Sequence, residues 1–206
     1  MMRLELQTGK VIQGELTLSR LNLMLVFQVN CPGCLNQALP QLQALQPLFP
    51  RLNLFALSTA FEDFALNTAE NTRLLLDKGY LTQASARYFS RLGHRALPYR
   101  ISVPVIMDRF AQPGQIEAMR SVLEQALSDM GLDQKPVQQT MAMLNARLQP
   151  VLYTGRTFLN NQLQGTPSWI LFDSDMMILD QWFGHRPLEW LEAQLSKHSN
   201  SQAGLG

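Results

Sequence analysis

Apolar positions along this chain alternate between two periods. Leu21 to Val29 is a nearly continuous apolar run of strand length, as expected for a strand buried on both faces. Leu35, Ala38, Leu39, Leu42 and Leu45 then recur at helical spacing, and Leu52 to Ser58 returns to strand character. A strand, helix and strand within about 40 residues is the pattern of a parallel crossover. Pro40 interrupts the helical stretch, where its missing N–H and its ring should kink the helix or shift its hydrogen bonding. Pro47 and Pro50 close it, and Leu16 to Leu18 is expected to end a short first strand.

Beyond this unit, Asn67 to Lys78 has helical spacing with Gly79 as its C-cap, and Thr82 to Leu92 forms a second helix ended by Gly93. Ile101 to Met107 reads as a third strand, with Pro104 marking an edge or a strand start. From Gln112 to Arg147 two helical patterns split around Gly131 and Pro136, an inserted helical hairpin. Its Met-containing stripe over 116–148 is read as helix packing, with a lid or partner surface as the alternative. Ser168 to Phe172 and Met177 to Phe183 flank the turn residues Asp173-Ser174-Asp175 as an antiparallel hairpin. Pro187 to Leu195 closes with an amphipathic helix, and the polar segment Ser196 to Gly206 is expected to be disordered. Trp169, Trp182 and Trp190 are most simply core or half-buried aromatics. The expectation is a single α/β domain over 1–195, a central mixed sheet flanked by helices, with helical insertions at about 60–100 and 111–163.

Composition narrows the function. With 46% hydrophobic and 16% charged residues in 206, the chain can bury a core, which excludes wholesale disorder. Lys plus Arg is 17 against 16 for Asp plus Glu, and no basic stripe is present to neutralise a phosphate backbone, so nucleic acid is not an expected partner. No apolar run approaches the roughly 18 residues needed to span a bilayer. Met1 to Lys10 alternates polar and apolar residues and lacks the apolar centre of a secretion signal. No membrane partner and a cytoplasmic location are therefore expected.

The two cysteines stand three apart, as Cys31-Pro32-Gly33-Cys34. Disulfide frameworks use several cysteines spread over a chain. A zinc site needs about four ligands, and only His94, His185 and His198 can supplement this pair. Redox chemistry is favoured, and no metal is assigned. A strand before the motif and a helix after it place Cys31 at a helix N-terminus, where orphan N–H groups and the helix dipole favour a thiolate. Cys34, one turn on, can donate an S–H bond to it, which is why such pairs titrate below the usual thiol value of about 8.5. Cys31 is then the nucleophile toward a substrate disulfide and Cys34 the resolving thiol. Pro32 suits a first helical turn, where a missing N–H is no loss. Gly33, a weak helix former, leaves the turn adaptable. The bland alternatives are two buried apolar residues or half a metal site.

With these residues the sequence resembles the thioredoxin superfamily, and most of all its TlpA-like and alkyl-hydroperoxide-reductase-like redoxins. Four segments carry the resemblance: Leu25 to Cys34, Leu54 to Thr59, Val103 to Asp108 and Gly165 to Asp173, with Gly184 after the last strand. It implies a thioredoxin-like fold in which Pro167 is cis and faces the cysteines, and Thr166 offers backbone bonds to an extended substrate. Pro32 and Gly33 complete the expected substrate-binding surface. Pro104 is a rival for the cis position.

This chain departs from the family pattern at four places. Asn30 replaces the usual aromatic before the first cysteine, Leu25 the buried acid six residues before it, and Leu35 the basic residue after the second. The helix proline, Pro40, comes one position late. A peroxiredoxin would carry Thr and Pro where Gln28 and Met24 stand, and copper-delivery modules use a Cys pair one residue wider.

His185, beside Gly184, lies in a loop that can approach the active site in this fold, although a solvated loop histidine is the simpler reading. Glu62 and Asp63 could supply a local acid, but are read first as first-turn acids near a helix start.

The resulting expectation is a thiol–disulfide oxidoreductase without a bound cofactor, acting on a disulfide-containing protein or small thiol with a separate electron donor. The alternative is a redox-inactive module that binds a protein through the groove beside Pro167.

Overall fold

A computed structural model describes residues 2–111, 113–130, 137–143 and 152–203. The run from Leu21 to Phe27 forms strand β2, following β1 (Thr8–Gln13), and each of its residues is buried. Its alternate side chains enter two separate cores. Leu21, Leu23, Leu25 and Phe27 pack on one face with Leu35, Leu39, Leu42 and Trp169. Met24 and Val26 pack on the other with Phe55, Leu57, Phe158 and Phe172. Burial on both faces explains why the run has almost no polar interruption. Its one polar residue, Asn22, is fully bonded, donating to the Ser19 and Phe172 carbonyls and accepting from the Ser19 N–H and Asn53 Nδ2.

After the cysteines the chain forms one π-helical segment, Cys34–Ala38, and then α1 (Leu39–Leu48). The cause is Pro40, which cannot donate to the carbonyl four residues back and whose ring would crowd it. The Leu39 N–H reaches the Cys34 carbonyl instead, a wider turn that absorbs the proline.

Strand β3 (Asn53–Ser58) runs parallel to β2, pairing Asn22 with Asn53 through Phe27 with Ser58. The chain crosses to β4 (Val105–Asp108) through α2 (Ala69–Lys78) and α3 (Gln83–Arg91). Thr68 caps α2 by accepting from the Asn71 N–H, and Gly79 ends it at φ +66°. Toward the C-terminus follow α4 (Pro113–Asp129), α5 (137–143), α6 (Arg156–Asn160), the hairpin β5 (Ser168–Asp173) and β6 (Ile178–Phe183), and α7 (Leu188–Ala203). The six strands form one mixed sheet in the order β1-β4-β3-β2-β5-β6, with β2, β3 and β4 parallel and the others antiparallel to their neighbours.

Three boundaries differ from the sequence reading by more than two residues. The first strand is Thr8–Gln13 rather than a segment ending at Leu18, because β1 forms only by pairing with β4, far along the chain. Gly14, at φ +70° against Pro104, then turns the chain away. β4 begins at Val105 rather than Ile101, since the carbonyls of Ile101 and Val103 are taken by the Gln13 side-chain amide at 2.9 and 2.8 Å. Pro104 thus stands at a strand start, and β1 keeps β4 from being an edge. The terminal helix extends past Leu195 to Ala203, as no proline or glycine intervenes before Gly204. The second half of the predicted hairpin over 112–147 lies partly outside the described residues.

Asp108 closes β4 as a buried tie. Its carboxylate accepts from Thr59 Oγ1 at 2.8 Å and from the N–H groups of Thr157 and Phe158 at 2.8 and 3.1 Å. It thereby docks α6 on the ends of β3 and β4, and burial pushes its carboxyl above the usual range. A Cβ at Gly155 would stand 2.1 Å from Asp108 Oδ2, so only glycine admits this approach.

Candidate active site

Sheet register brings the site together. β2 ends at Phe27 and releases the chain into Gln28, Val29, Asn30 and Cys31. β5 lies antiparallel to it, with Val26 opposite Ser168, so Thr166 and Pro167, just before β5, fall beside Gln28 and Cys31. The Thr166–Pro167 peptide is cis, the one such bond among the described residues. Thr166 Oγ1 donates to Gln28 Oε1 at 3.2 Å, and the Gly184 N–H reaches the Pro167 carbonyl at 2.8 Å. All six residues singled out from the sequence (Cys31, Pro32, Gly33, Cys34, Thr166 and Pro167) therefore share one locality.

Both cysteines are free. Cys31 is partly exposed, at the start of the helical turn that Pro32 and Gly33 open, while Cys34 is fully buried. The Cys34 N–H donates to Cys31 Sγ at 3.4 Å, and in thiol form Cys31 donates to the Thr166 carbonyl at 3.6 Å. The two sulfurs titrate in opposite directions. Cys31 is lowered from 9.0 to about 6, first by the bond from the Cys34 side chain, with the Cys34 and Gly33 N–H groups adding to it against the opposing effect of burial. Burial pushes Cys34 well above 9.0, and the neighbouring Cys31 adds to that. Near neutral pH, one thiolate and one protonated thiol result.

Beside Cys31 opens a cleft of about 440 Å³, bounded by Thr166, Phe61, Glu62, Asp63 and Phe183. A Cβ on Gly165 would meet Phe183 Cε2 at 2.7 Å, so this glycine lets the ring form a wall.

A six-stranded mixed sheet with flanking helices has counterparts among solved structures. A thiol-disulfide isomerase from Corynebacterium glutamicum superposes with a TM-score of 0.58 at 20% identity, covering 95% of this chain and 94% of that one. A thioredoxin-like superfamily protein gives 0.55 at 20% identity, covering 96% of each chain. The fold is thioredoxin-like. No protein-family model matches the chain, and no curated protein matches it in sequence.

On this thioredoxin-like frame, five residues occupy roles that the sequence reading missed or misjudged. Asn30 is a hub. Its Nδ2 donates to Asp63 Oδ2 at 2.7 Å, and its Oδ1 accepts from Thr82 Oγ1 and the Ala84 N–H, both at 2.9 Å. Its own N–H donates to Asn67 Oδ1 at 3.0 Å, so the residue before Cys31 is tied to the N-terminus of α3 and to the loop that leads into α2. Glu62 and Asp63 are not first-turn helix acids. α2 starts only at Ala69, and both residues line the Cys31 cleft, where the Asn30 contact and φ +47° at Asp63 turn the loop. His185 is exposed yet lies on the active turn, its Nε2 2.5 Å from where a Gly33 Cβ would stand, and the partial burial of its ring lowers its pKa.

Tyr99, which no sequence signal marked, donates its hydroxyl to the Leu35 carbonyl in the π-helical segment. Burial, with Cys34 nearby, raises its phenol far above the ordinary range.

Leu25 and Leu35 are fully buried core residues. Trp169 and Trp182 stack at 6.0 Å in the core, with the partly exposed Trp190 edge-on to Trp182, as read from the sequence. No group of three metal-ligating side chains occurs among the described residues, nor does any helix long and apolar enough to cross a membrane.

Proposed function

We propose that this protein is a thiol–disulfide oxidoreductase of the redoxin type, with Cys31 as nucleophile and Cys34 as resolving thiol. One observation carries this reading: the two sulfurs have opposite titration and opposite exposure, with the acidic one facing an open cleft. The Cys31 thiolate attacks one sulfur of a substrate disulfide, forming a mixed disulfide and releasing the first thiolate. Cys34 then loses its proton, attacks Cys31 Sγ and releases the second thiol. The substrate disulfide has gained two electrons and the protein has become a disulfide, without any bound cofactor.

Thr166 and Pro32 line the cleft beside Cys31, and with Pro167 and Gly33 they would form the surface along which an extended substrate segment lies. The likeness to a thiol-disulfide isomerase in fold, and the TlpA-like motifs, support the assignment. In a reducing compartment such as a cytosol it would act as a reductant.

Titration against a glutathione redox series tests this, with free thiols trapped by alkylation and counted by mass. A reversible two-electron transition between roughly −120 and −270 mV is expected. Thiols that never pair, or a disulfide that never opens, would overturn the assignment. A second reading, a redox-inactive binding module, is favoured by Leu25 and Leu35, which leave the cysteine pair without the usual ionisable helpers. It predicts that Cys31→Ser leaves partner binding intact with no exchange activity to lose.

A further inference from the structure

The titratable residues lining the Cys31 cleft are Cys31 itself, Glu62 and Asp63, and no Lys, Arg or His is among the described residues that bound it. The carboxylates come from the loop after β3, and Asp63 is held in place by Asn30, the residue before the nucleophile. Phe61 and Phe183 supply aromatic walls to the same cleft. An ammonium or guanidinium group on an aliphatic stem suits such a lining: the stem lies on the rings and the charged head meets the carboxylates. An anion brought to the same thiolate meets the thiolate and two acidic residues, with no cation among the described residues of the lining. We infer that the Cys31 cleft selects disulfides that carry positive charge beside the sulfur, polypeptides with Lys or Arg next to cysteine above all, and rejects anionic disulfides such as oxidised glutathione. This inference rests on the exchange activity proposed above and names its substrate class. The chemistry is the same two-step exchange, in which the cationic disulfide is reduced to two thiols and the protein dithiol is oxidised.

The test follows oxidation of the reduced protein by cystamine (cationic), hydroxyethyl disulfide (neutral) and oxidised glutathione (anionic) at low salt. Each rate is divided by that of the same disulfide with dithiothreitol, which removes intrinsic reactivity. The normalised rate for cystamine should exceed that for oxidised glutathione by roughly tenfold or more, the scale of electrostatic focusing in a charged cleft. The gap should shrink several-fold at high salt, a readout that needs no variant. E62Q and D63N should each narrow it further at low salt. Disulfide-linked dimers of a short cysteine peptide separate the sources: a Lys-flanked dimer that outruns both its Glu-flanked counterpart and cystamine supports a polypeptide substrate, and one slower than cystamine overturns that part. A normalised ratio near or below one, or a ratio insensitive to salt and to both substitutions, overturns the inference. Failure to react even with the neutral disulfide would overturn the exchange reading itself, and this inference with it.

Discussion

The imidazole of His185 packs against the bare face of Gly33, with Nε2 only 2.5 Å from the point a β-carbon would occupy. Gly33 has ordinary helical angles, φ −64° and ψ −37°, so close approach and not backbone conformation calls for glycine here. In Gly33→Ala the imidazole must swing off the turn into solvent. The fold should persist, since alanine favours the helix by up to about 1 kcal/mol over glycine. The pKa of His185, lowered by burial, should rise toward 6.5, which NMR titration of the imidazole can read.

The reactivity of Cys31 should follow its thiolate. Alkylation by iodoacetamide should be slow below pH 5, rise through a midpoint near pH 6 and level off by about pH 7, with Cys34 silent across that range. The sign follows from the lowered pKa: raising the pH through it creates the nucleophile. Cys34→Ala removes the largest stabilising bond, so the midpoint should move upward.

Exchange should separate the two thiols. Cys31→Ser should lose at least about a thousandfold in disulfide reduction, because the remaining sulfur is buried and protonated. Cys34→Ser should still attack but stop at the mixed disulfide, visible by mass spectrometry as one retained substrate adduct.

Asn30→Ala leaves the Ala84 N–H and the Asp63 carboxylate without their Asn30 partner, and the Thr82 hydroxyl with only the Val29 carbonyl. A loss of about 2–3 kcal/mol is expected in urea denaturation. The charge preference of the cleft should weaken as well, because Asp63 loses its tether.

Asp108→Ala would strand the Thr157 and Phe158 N–H groups of α6, within a site the Gly155 backbone closes tightly. A loss of about 2–3 kcal/mol is expected from urea denaturation, with the Cys31 alkylation midpoint unchanged.

Elements whose cause is local were legible in the sequence. The run of β2 shows its double burial, and Pro40 announces a change of hydrogen bonding that appears as the π-helical segment. Gly79, just past Lys78, ends α2 by a cap that needs only its own neighbours. Elements made by distant partners were not legible. β1 is a strand only because β4 completes its bonds, and Tyr99 reaches the site across a loop with no motif around it.

The sequence by itself determined the chemistry on offer: two cysteines at helical spacing after a buried strand, and a Thr-Pro pair before a hairpin. Period, caps and proline geometry act over a few residues, so they can be read in order along the chain. What only the tertiary structure decided is how that chemistry is surrounded. The register of β5 on β2 sets Thr166 beside Cys31, and the hairpin's far end carries His185 onto Gly33. A hydrogen bond from Asn30, 33 residues upstream, turns Asp63 into the cleft. These contacts depend on packing between segments far apart in the chain, where sequence spacing no longer determines distance.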